Sequence, residues 1–322
     1  MEVLSTTPLA TIQDLGRFGH YRDGVGRSGA MDGIALAIGN ALLGNDANAA
    51  AIEIPLLPFK LRFEEDLDVA VTGADCEAWL DETPLPPDWA FSVRSGQVLT
   101  LSAIREGCRA YVCVAGGVEV PEVLGSRSTQ LREAFGGYLG RMLTKGDRLK
   151  ALGTSVGLPH GGLGASPLGR FSADGLVVRV LPAAEYDRFT AESQHSFWRA
   201  EWQITAQSNR TGYRLSGPVL AMKDNSELRS HGVVPGVIQV PMGGQPIIQL
   251  ADAATMGGYP KLGTVIEPDQ WRLAQARPGT SIRFVEVDLQ AALSAQAELD
   301  RYIADVRGSA QRQRRAALGW RS

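Results

Sequence analysis

The sequence contains no G-x-x-x-x-G-K-[ST] loop and no C-x-x-C pair. Without the first, any nucleotide phosphate must be held by something other than a P-loop. The three cysteines, Cys76, Cys108 and Cys113, are an odd count with no partner spacing. The four histidines, His20, His160, His195 and His231, are scattered. Zinc is therefore not expected, and the thiols should be buried and reduced. Gly16, Gly19, Gly24, Gly26 and Gly29 do not follow an apolar strand in the G-x-G-x-x-G spacing, which argues against a dinucleotide fold.

Charge of one sign is also lacking. The formal net charge of −3 gives no basic footprint for nucleic acid. No run of eighteen apolar residues occurs, so no membrane span is expected. The N-terminal segment has no cationic stretch followed by an apolar block and does not read as a secretory signal. A cytoplasmic, metal-free protein is the expectation.

What is present is a chain of 322 residues with 44% hydrophobic and 21% charged residues, ordinary for a soluble protein and long enough for two domains. The expected organisation is an N-terminal β-rich domain over 1–152, a Gly-rich linker over 153–172, a C-terminal domain over 173–288, and a helix with a basic tail over 289–322. Between Leu61 and Leu152, short β-type runs alternate with turn residues at the spacing of a barrel or sandwich. Asp32 is a candidate N-cap and Gly44 a candidate stop for a helix whose apolar positions are Ile34, Ile38, Ala41 and Leu42. The apolar face from Asp288 to Val306 predicts a second helix, ended by Gly308, with Gln-Arg-Gln-Arg-Arg fraying beyond it. Glu53, alone in an apolar strand, is equally compatible with a water-facing and a buried position.

The stretch from Gly232 to Val265 joins β-type runs (Val237–Val240, Ile247–Leu250) with Gly- and Pro-rich turns. Such strands hold shape, and glycines let backbone approach a ligand. Its polar members suggest roles. Gln239 and Gln249 can read an amide or carboxylate, Asp252 can take a proton, and Lys261 can stabilise a developing negative charge. Upstream, Asn209, Arg210 and Thr211 form a turn where a guanidinium can pair with an anionic oxygen. The Leu124-Gly-Ser-Arg-Ser-Thr129 turn, with Arg127 and Ser128, suits a carboxylate or phosphate equally well as it suits a structural cap. His231 is a candidate acid–base group. Ala221-Met-Lys223 matches the tripeptide around a biotinylated lysine, but no small Gly-rich hairpin domain surrounds it, so an exposed-turn lysine is expected.

Long ordered motifs carry a family resemblance: Thr11-Ile-Gln-Asp-Leu-Gly-Arg-Phe-Gly19, Gly26-Arg-Ser-Gly-Ala-Met-Asp32, Gly39-Asn-Ala-Leu-Leu-Gly-Asn45, Val114-Ala-Gly-Gly-Val118, the 124–129 turn, Ser208-Asn-Arg-Thr-Gly-Tyr-Arg-Leu215, Pro235-Gly-Val-Ile-Gln-Val-Pro241, Gly244-Gln-Pro-Ile-Ile248 and Asp252 to Pro260. Together they resemble the biotin-dependent carboxyltransferase family, whose members include the C component of 5-oxoprolinase and the carboxyltransferase region of urea amidolyase. The resemblance implies a mainly β fold with a few helices, in two β-rich domains, at least one of them a cyclophilin-like barrel. It implies partners, the KipI-like B component of 5-oxoprolinase and its A component. It also implies ATP used by the complex in opening 5-oxo-L-proline to L-glutamate, and no covalent biotin on this chain. Two alternatives stay open: carboxyl transfer from carboxybiotin to urea or another amide, and a KipA-like regulator that binds an inhibitor of a sensor kinase. Where the family motif has Ser-Glu-Gly, this chain has Ser230-His-Gly232.

Overall fold

The computed structural model describes residues 1–166, 168–169, 175–224 and 228–319. The chain forms two compact units. Unit 1 takes Met1–Arg17, Ser28–Arg170 and Asp300–Ser322; unit 2 takes Phe18–Arg27 and Phe171–Leu299.

Unit 1 is built on a nine-stranded sheet: β1 (Glu2–Ser5), β2 (Thr11–Gln13), β3 (Ala51–Ile54), β4 (Phe59–Arg62), β5 (Leu67–Leu80), β6 (Thr83–Leu85), β7 (Trp89–Val93), β8 (Val98–Val114) and β9 (Leu163–Gly164). The main order is β1-β4-β8-β5-β7-β9, with β2 on β3, β3 also on β8, and β6 on β5. Strands β5 and β8 form its spine, paired from Val69↔Val114 to Leu80↔Leu99, with register shifts between Gly73 and Ala78 that bend it. Alternation sets the faces. In β4, Phe59 and Leu61 are buried while Lys60 and Arg62 are exposed. Val3, Ile12, Ile52, Phe59, Leu101 and Val112 belong to the core on one side.

A second cluster joins α1 (Gly33–Leu43) to the sheet through Leu36, Leu42 and Leu43 against Ala70, Tyr111 and Cys113. Asp32 Oδ1 accepts from the amides of Ile34 and Ala35, and Gly44 closes the helix at φ 71°. Sequence periodicity assigned this helix a single apolar face. The structure buries it all round, from Ala35 to Leu43, because α4 (Leu289–Gly319) supplies Val306 and Ala310 to the same cluster.

Helix α4 departs from expectation at its end. It runs through Gly308 and the basic segment to Gly319. Arg307 donates to the Asn45 carbonyl, and Arg314 donates to the carbonyls of Ala41 and Leu42, at the end of α1. These tertiary contacts offset the roughly 1 kcal/mol that a glycine costs within a helix. The basic tail is thus a capping element for α1 rather than a frayed end. Within the segment expected as a linker, residues 153–166 fold into unit 1. Leu158 and Leu163 are buried, and Asp68 accepts from Ser155 Oγ and the Val156 amide. Residues 167 and 170–172 of that segment, and 320–322 of the tail, lie outside the described residues.

Unit 2 holds a closed barrel. Its strands are β10 (Leu176–Pro182), β11 (Trp202–Ile204), β12 (Gly212–Ser216), β14 (Val237–Gln239), β15 (Ile247–Gln249), β17 (Lys261–Val265) and β18 (Ser281–Glu286), in the order β10-β17-β14-β15-β12-β11-β18. Closure is by the parallel pairing of β10 with β18; the other neighbours are antiparallel. A separate ribbon pairs β13 (His231–Gly232) with β16 (Met256–Gly257). Helices α2 (Ala191–Arg199) and α3 (Gln270–Gln275) belong to this unit, as does the first part of α4, whose Ala292 and Ala295 pack with Ile266. A 3-10 turn over Tyr186–Arg188 precedes α2, which begins after Thr190, whose hydroxyl accepts from the Ser193 amide. Phe197 of α2 stacks on Phe284 of β18 at 4.7 Å and, with the buried Trp202, Tyr213 and Ile248, fills the interior. Arg179 grips Asp269 through two nitrogens at 2.6 and 3.0 Å, anchoring α3 to β10. The chain is therefore mainly β in two β-rich units, one of them a closed barrel, as the sequence led us to expect. No helix among the described residues is long and apolar enough to cross a membrane.

Candidate functional site

Polar side chains gather at one part of unit 2, where β14, β15 and β17 meet the β13–β16 ribbon. Register explains it. Ile238 pairs with Ile248, which sets Gln239 and Gln249 within reach of each other, and a register shift after Ile238 brings Lys261 opposite Gln239. Gln249 Nε2 donates to Gln239 Oε1 at 3.0 Å. The other end of that carboxamide, Gln239 Nε2, is buried and has no hydrogen-bond partner, although the residue is only 5% exposed. Gly257 lies against it. A Cβ on Gly257 would sit 2.7 Å from Gln239 Nε2, so only a glycine lets the ribbon backbone approach the amide this closely.

His231 is the register partner of Gly257. Its Nδ1 is 2.8 Å from the Arg229 carbonyl oxygen, and its Nε2 is buried with no partner. Lys261 is half-buried, and its backbone amide donates to Glu185 Oε2 at 3.3 Å. Unpaired buried polar atoms are rare in folded proteins and costly where they occur. Two of them beside one glycine mark this place.

The remaining predicted residues have other tasks. Asp252 is buried and receives Arg210 Nε and Nη2 at 2.8 and 3.1 Å, a bidentate pair in which both carboxylate oxygens are occupied. The Asp252 amide also donates to the Arg210 carbonyl, so the pair pins two segments together. Asp252 is thus poorly placed to take a proton, and Arg210 to grip a free anion. Asn209 Oδ1 accepts from the Thr211 amide at 2.8 Å in an Asx turn, while the Thr211 carbonyl accepts from Leu250. Lys223 Nζ donates to the Asp187 carbonyl at 2.7 Å.

Arg127 and Ser128 belong to unit 1. There the 124–129 turn wraps a buried carboxylate. Asp14 Oδ1 accepts from Gly16 N, Ser126 Oγ and Ser128 Oγ, and Asp14 Oδ2 accepts from the Arg127 amide at 2.6 Å. The Arg127 guanidinium pairs with Glu122 at 3.2 Å. Ser128 is fully buried, so this turn serves the architecture of unit 1 and not an incoming anion. Glu53 takes the buried one of its two possible positions. It accepts from the Met31 amide and Tyr111 Oη, at 2.8 and 2.7 Å. Burial, and then the charge of Glu53, push the Tyr111 hydroxyl well above its ordinary pKa. No disulfide joins the three cysteines, and burial pushes the thiols of Cys76 and Cys113 up to about 12, which makes both inert. Sequence reasoning missed Gly257, whose signal was the Met-Gly-Gly-Tyr-Pro turn, and Asp14, whose partners Ser126, Arg127 and Ser128 lie more than a hundred residues away.

Comparison with known proteins gives concordant results. Residues 23–286 match the model of the carboxyltransferase domain, subdomain A and B. The chain is 43% identical over 309 residues to the C component of the multi-subunit 5-oxoprolinase of Escherichia coli K12, covering 94% of this chain and 96% of that protein. It is 34% identical over 311 residues to urea amidolyase of Lachancea kluyveri, covering 90% of this chain but 17% of that protein. Among solved structures, the K. lactis urea amidolyase superposes with a TM-score of 0.86 at 28% identity, over 95% of this chain and 20% of that one.

Proposed function

The chain belongs to the carboxyltransferase-domain family, subdomains A and B, and on that premise we propose that it is the C component of a cytoplasmic 5-oxoprolinase that opens 5-oxo-L-proline to L-glutamate with ATP hydrolysis. The observation that carries this reading is end-to-end collinearity: 94% of this chain aligns with 96% of a protein named as the C component of 5-oxoprolinase. The match to urea amidolyase instead uses only 17% of a much longer protein. The partners in this proposal are the A and B components, and ATP is consumed by the assembled complex. No biotin is attached to this chain, a reading supported by the Lys223 ammonium being tied to the Asp187 carbonyl.

The chemistry asks for few groups. A lactam carbonyl is a poor electrophile; once ATP phosphorylates its oxygen, water can add to the carbonyl carbon, the C–N bond breaks as the ring nitrogen takes a proton, and a second water hydrolyses the resulting acyl phosphate to glutamate and phosphate. The half-buried Lys261 would hold negative charge, on the substrate carboxylate or on the oxygen where charge develops. The Gln239–Gln249 pair would orient the amide. Arg210 and Asp252 would keep the wall of the site rigid.

Co-expression with candidate A and B components, followed by assay of 5-oxoproline-dependent ATP hydrolysis and glutamate release, tests the proposal. Lys261→Ala is expected to lower kcat/KM by about 10²- to 10³-fold with the complex intact. A complex that forms, releases no glutamate and instead consumes carboxybiotin with urea or another amide would replace this reading by the carboxyltransferase one, which the TM-score of 0.86 to urea amidolyase favours as runner-up.

A further inference from the structure

Two buried atoms at the β13–β16 ribbon have complementary and opposite hydrogen-bonding character. The Arg229 carbonyl oxygen, 2.8 Å from His231 Nδ1, can only accept, so Nδ1 carries the ring hydrogen. In the neutral imidazole Nε2 is then a bare lone pair, buried and unpartnered. Gln239 is the opposite case. Its Oε1 is taken by Gln249 Nε2, which leaves its Nε2 as a free buried donor. Gly257 is the register partner of His231 and lies against Gln239 Nε2. As register partners across an antiparallel ribbon, His231 and Gly257 project to the same face, and the face that a Gly257 Cβ would occupy is the one where Gln239 Nε2 lies.

We propose that His231 and Gln239 together read the edge of a cis amide, with His231 Nε2 accepting from the amide N–H and Gln239 Nε2 donating to the amide carbonyl oxygen. A five-membered lactam fits because its ring holds N–H and C=O on the same side. An open-chain trans amide points them in opposite directions and satisfies only one of the two groups. The choice of a lactam rests on the 5-oxoprolinase reading. The edge itself is also presented by urea, so both sources share the chemistry. On this view His231, at the position where the family motif has an acid, sets specificity: a carboxylate can also accept, but the imidazole does so without adding negative charge beside a carbonyl or carboxylate.

Calorimetric titration of the full-length protein, alone and in its complex, tests this with 2-pyrrolidinone, 5-oxo-L-proline, N-methyl-2-pyrrolidinone and urea as probes. The expected result is that 2-pyrrolidinone binds at least about tenfold more tightly than its N-methyl analogue, which lacks the hydrogen that His231 would accept. Gln239→Glu, which exchanges a donor for an acceptor, His231→Phe and Gly257→Ala should each weaken 2-pyrrolidinone by about tenfold or more. Equal binding of the two lactams, no binding of either, or unchanged affinity in His231→Phe and Gln239→Glu overturns the proposal. The probe series on the unmodified protein decides even if a variant fails to fold. The two readings fail separately. Glutamate release by a complex whose His231→Phe and Gln239→Glu forms keep the same KM would sink this inference and leave the 5-oxoprolinase function standing. The lactam preference without glutamate release would do the reverse; tighter binding of urea than of either lactam would also overturn the lactam assignment.

Discussion

Asp14 in unit 1 and Gln239 in unit 2 are both buried polar groups on β-rich frames, and they are used in opposite ways. Both oxygens of Asp14 are occupied, by two serine hydroxyls and two backbone amides. Gln239 has its oxygen occupied and its nitrogen free. A polar group whose partners all come from its own chain makes the fold unique and leaves nothing for a ligand. A group left half-satisfied by a frame that satisfies most of its others is where an outside molecule can contribute. The 124–129 turn looks like an anion site by composition and fails on this criterion; the Met-Gly-Gly-Tyr-Pro turn looks plain and passes it.

The contrast can be broken first at Asp14. Asp14→Ala removes the acceptor from Ser126, Ser128, Gly16 and Arg127 at once and should destabilise the protein by about 3 to 5 kcal/mol, read from urea denaturation. Asp252→Ala should follow at about 3 kcal/mol, because it strips the carboxylate from a buried guanidinium. A large loss of activity in this variant with an unchanged melting curve would instead return Asp252 to a direct role in chemistry.

A third test concerns a half-buried acid in unit 1. Burial, opposed by the Gly73 amide and reinforced by Asp75, raises the Asp88 carboxyl to about 6 from an ordinary 3.8. Between those values the folded protein binds a proton that the unfolded chain has released. This group's contribution to stability is therefore greatest in acid and falls as pH rises from 3.8 to about 6. Asp88→Asn keeps an acceptor for Gly73 and suits the positive φ of 47°. It should raise stability at about pH 7 by about 2 kcal/mol and change it little at about pH 4. Denaturation at the two pH values checks the sign. The smallest effect belongs to Arg314→Ala, which uncovers the end of α1 and should cost about 1 kcal/mol in a melting experiment. In contrast to all four, Gly257→Ala should change stability by less than about 1 kcal/mol while closing the Gln239 amide to its ligand.

These cases also show which features could be read from the sequence. The cap at Asp32 and the stop at Gly44 were legible because a cap is made by residues within a turn of one another. The barrel strands at Val237 and Ile247 were legible from alternation and flanking turns. The fate of Ser128 was not, since its carboxylate partner is 114 residues away. Nor was the continuation of α4 past Gly308, which depends on carbonyls of α1 more than 260 residues earlier. At the candidate site the residue types of Gln239, Gln249, His231 and Lys261 stood out in the sequence. Which of their atoms are free depends on pairing register, and no local pattern encodes that.

The division of the chain has a consequence for its synthesis. Unit 1 uses the first residues of the chain and the last described turns of α4, with all of unit 2's barrel encoded between them. On a ribosome, the barrel can close while the carbonyls at the end of α1 still lack Arg307 and Arg314. Those arginines are made only after the whole barrel, so the first domain begun is the last one finished. A released chain truncated after Leu299 should therefore hold a protease-resistant barrel while its N-terminal unit is still easily cut.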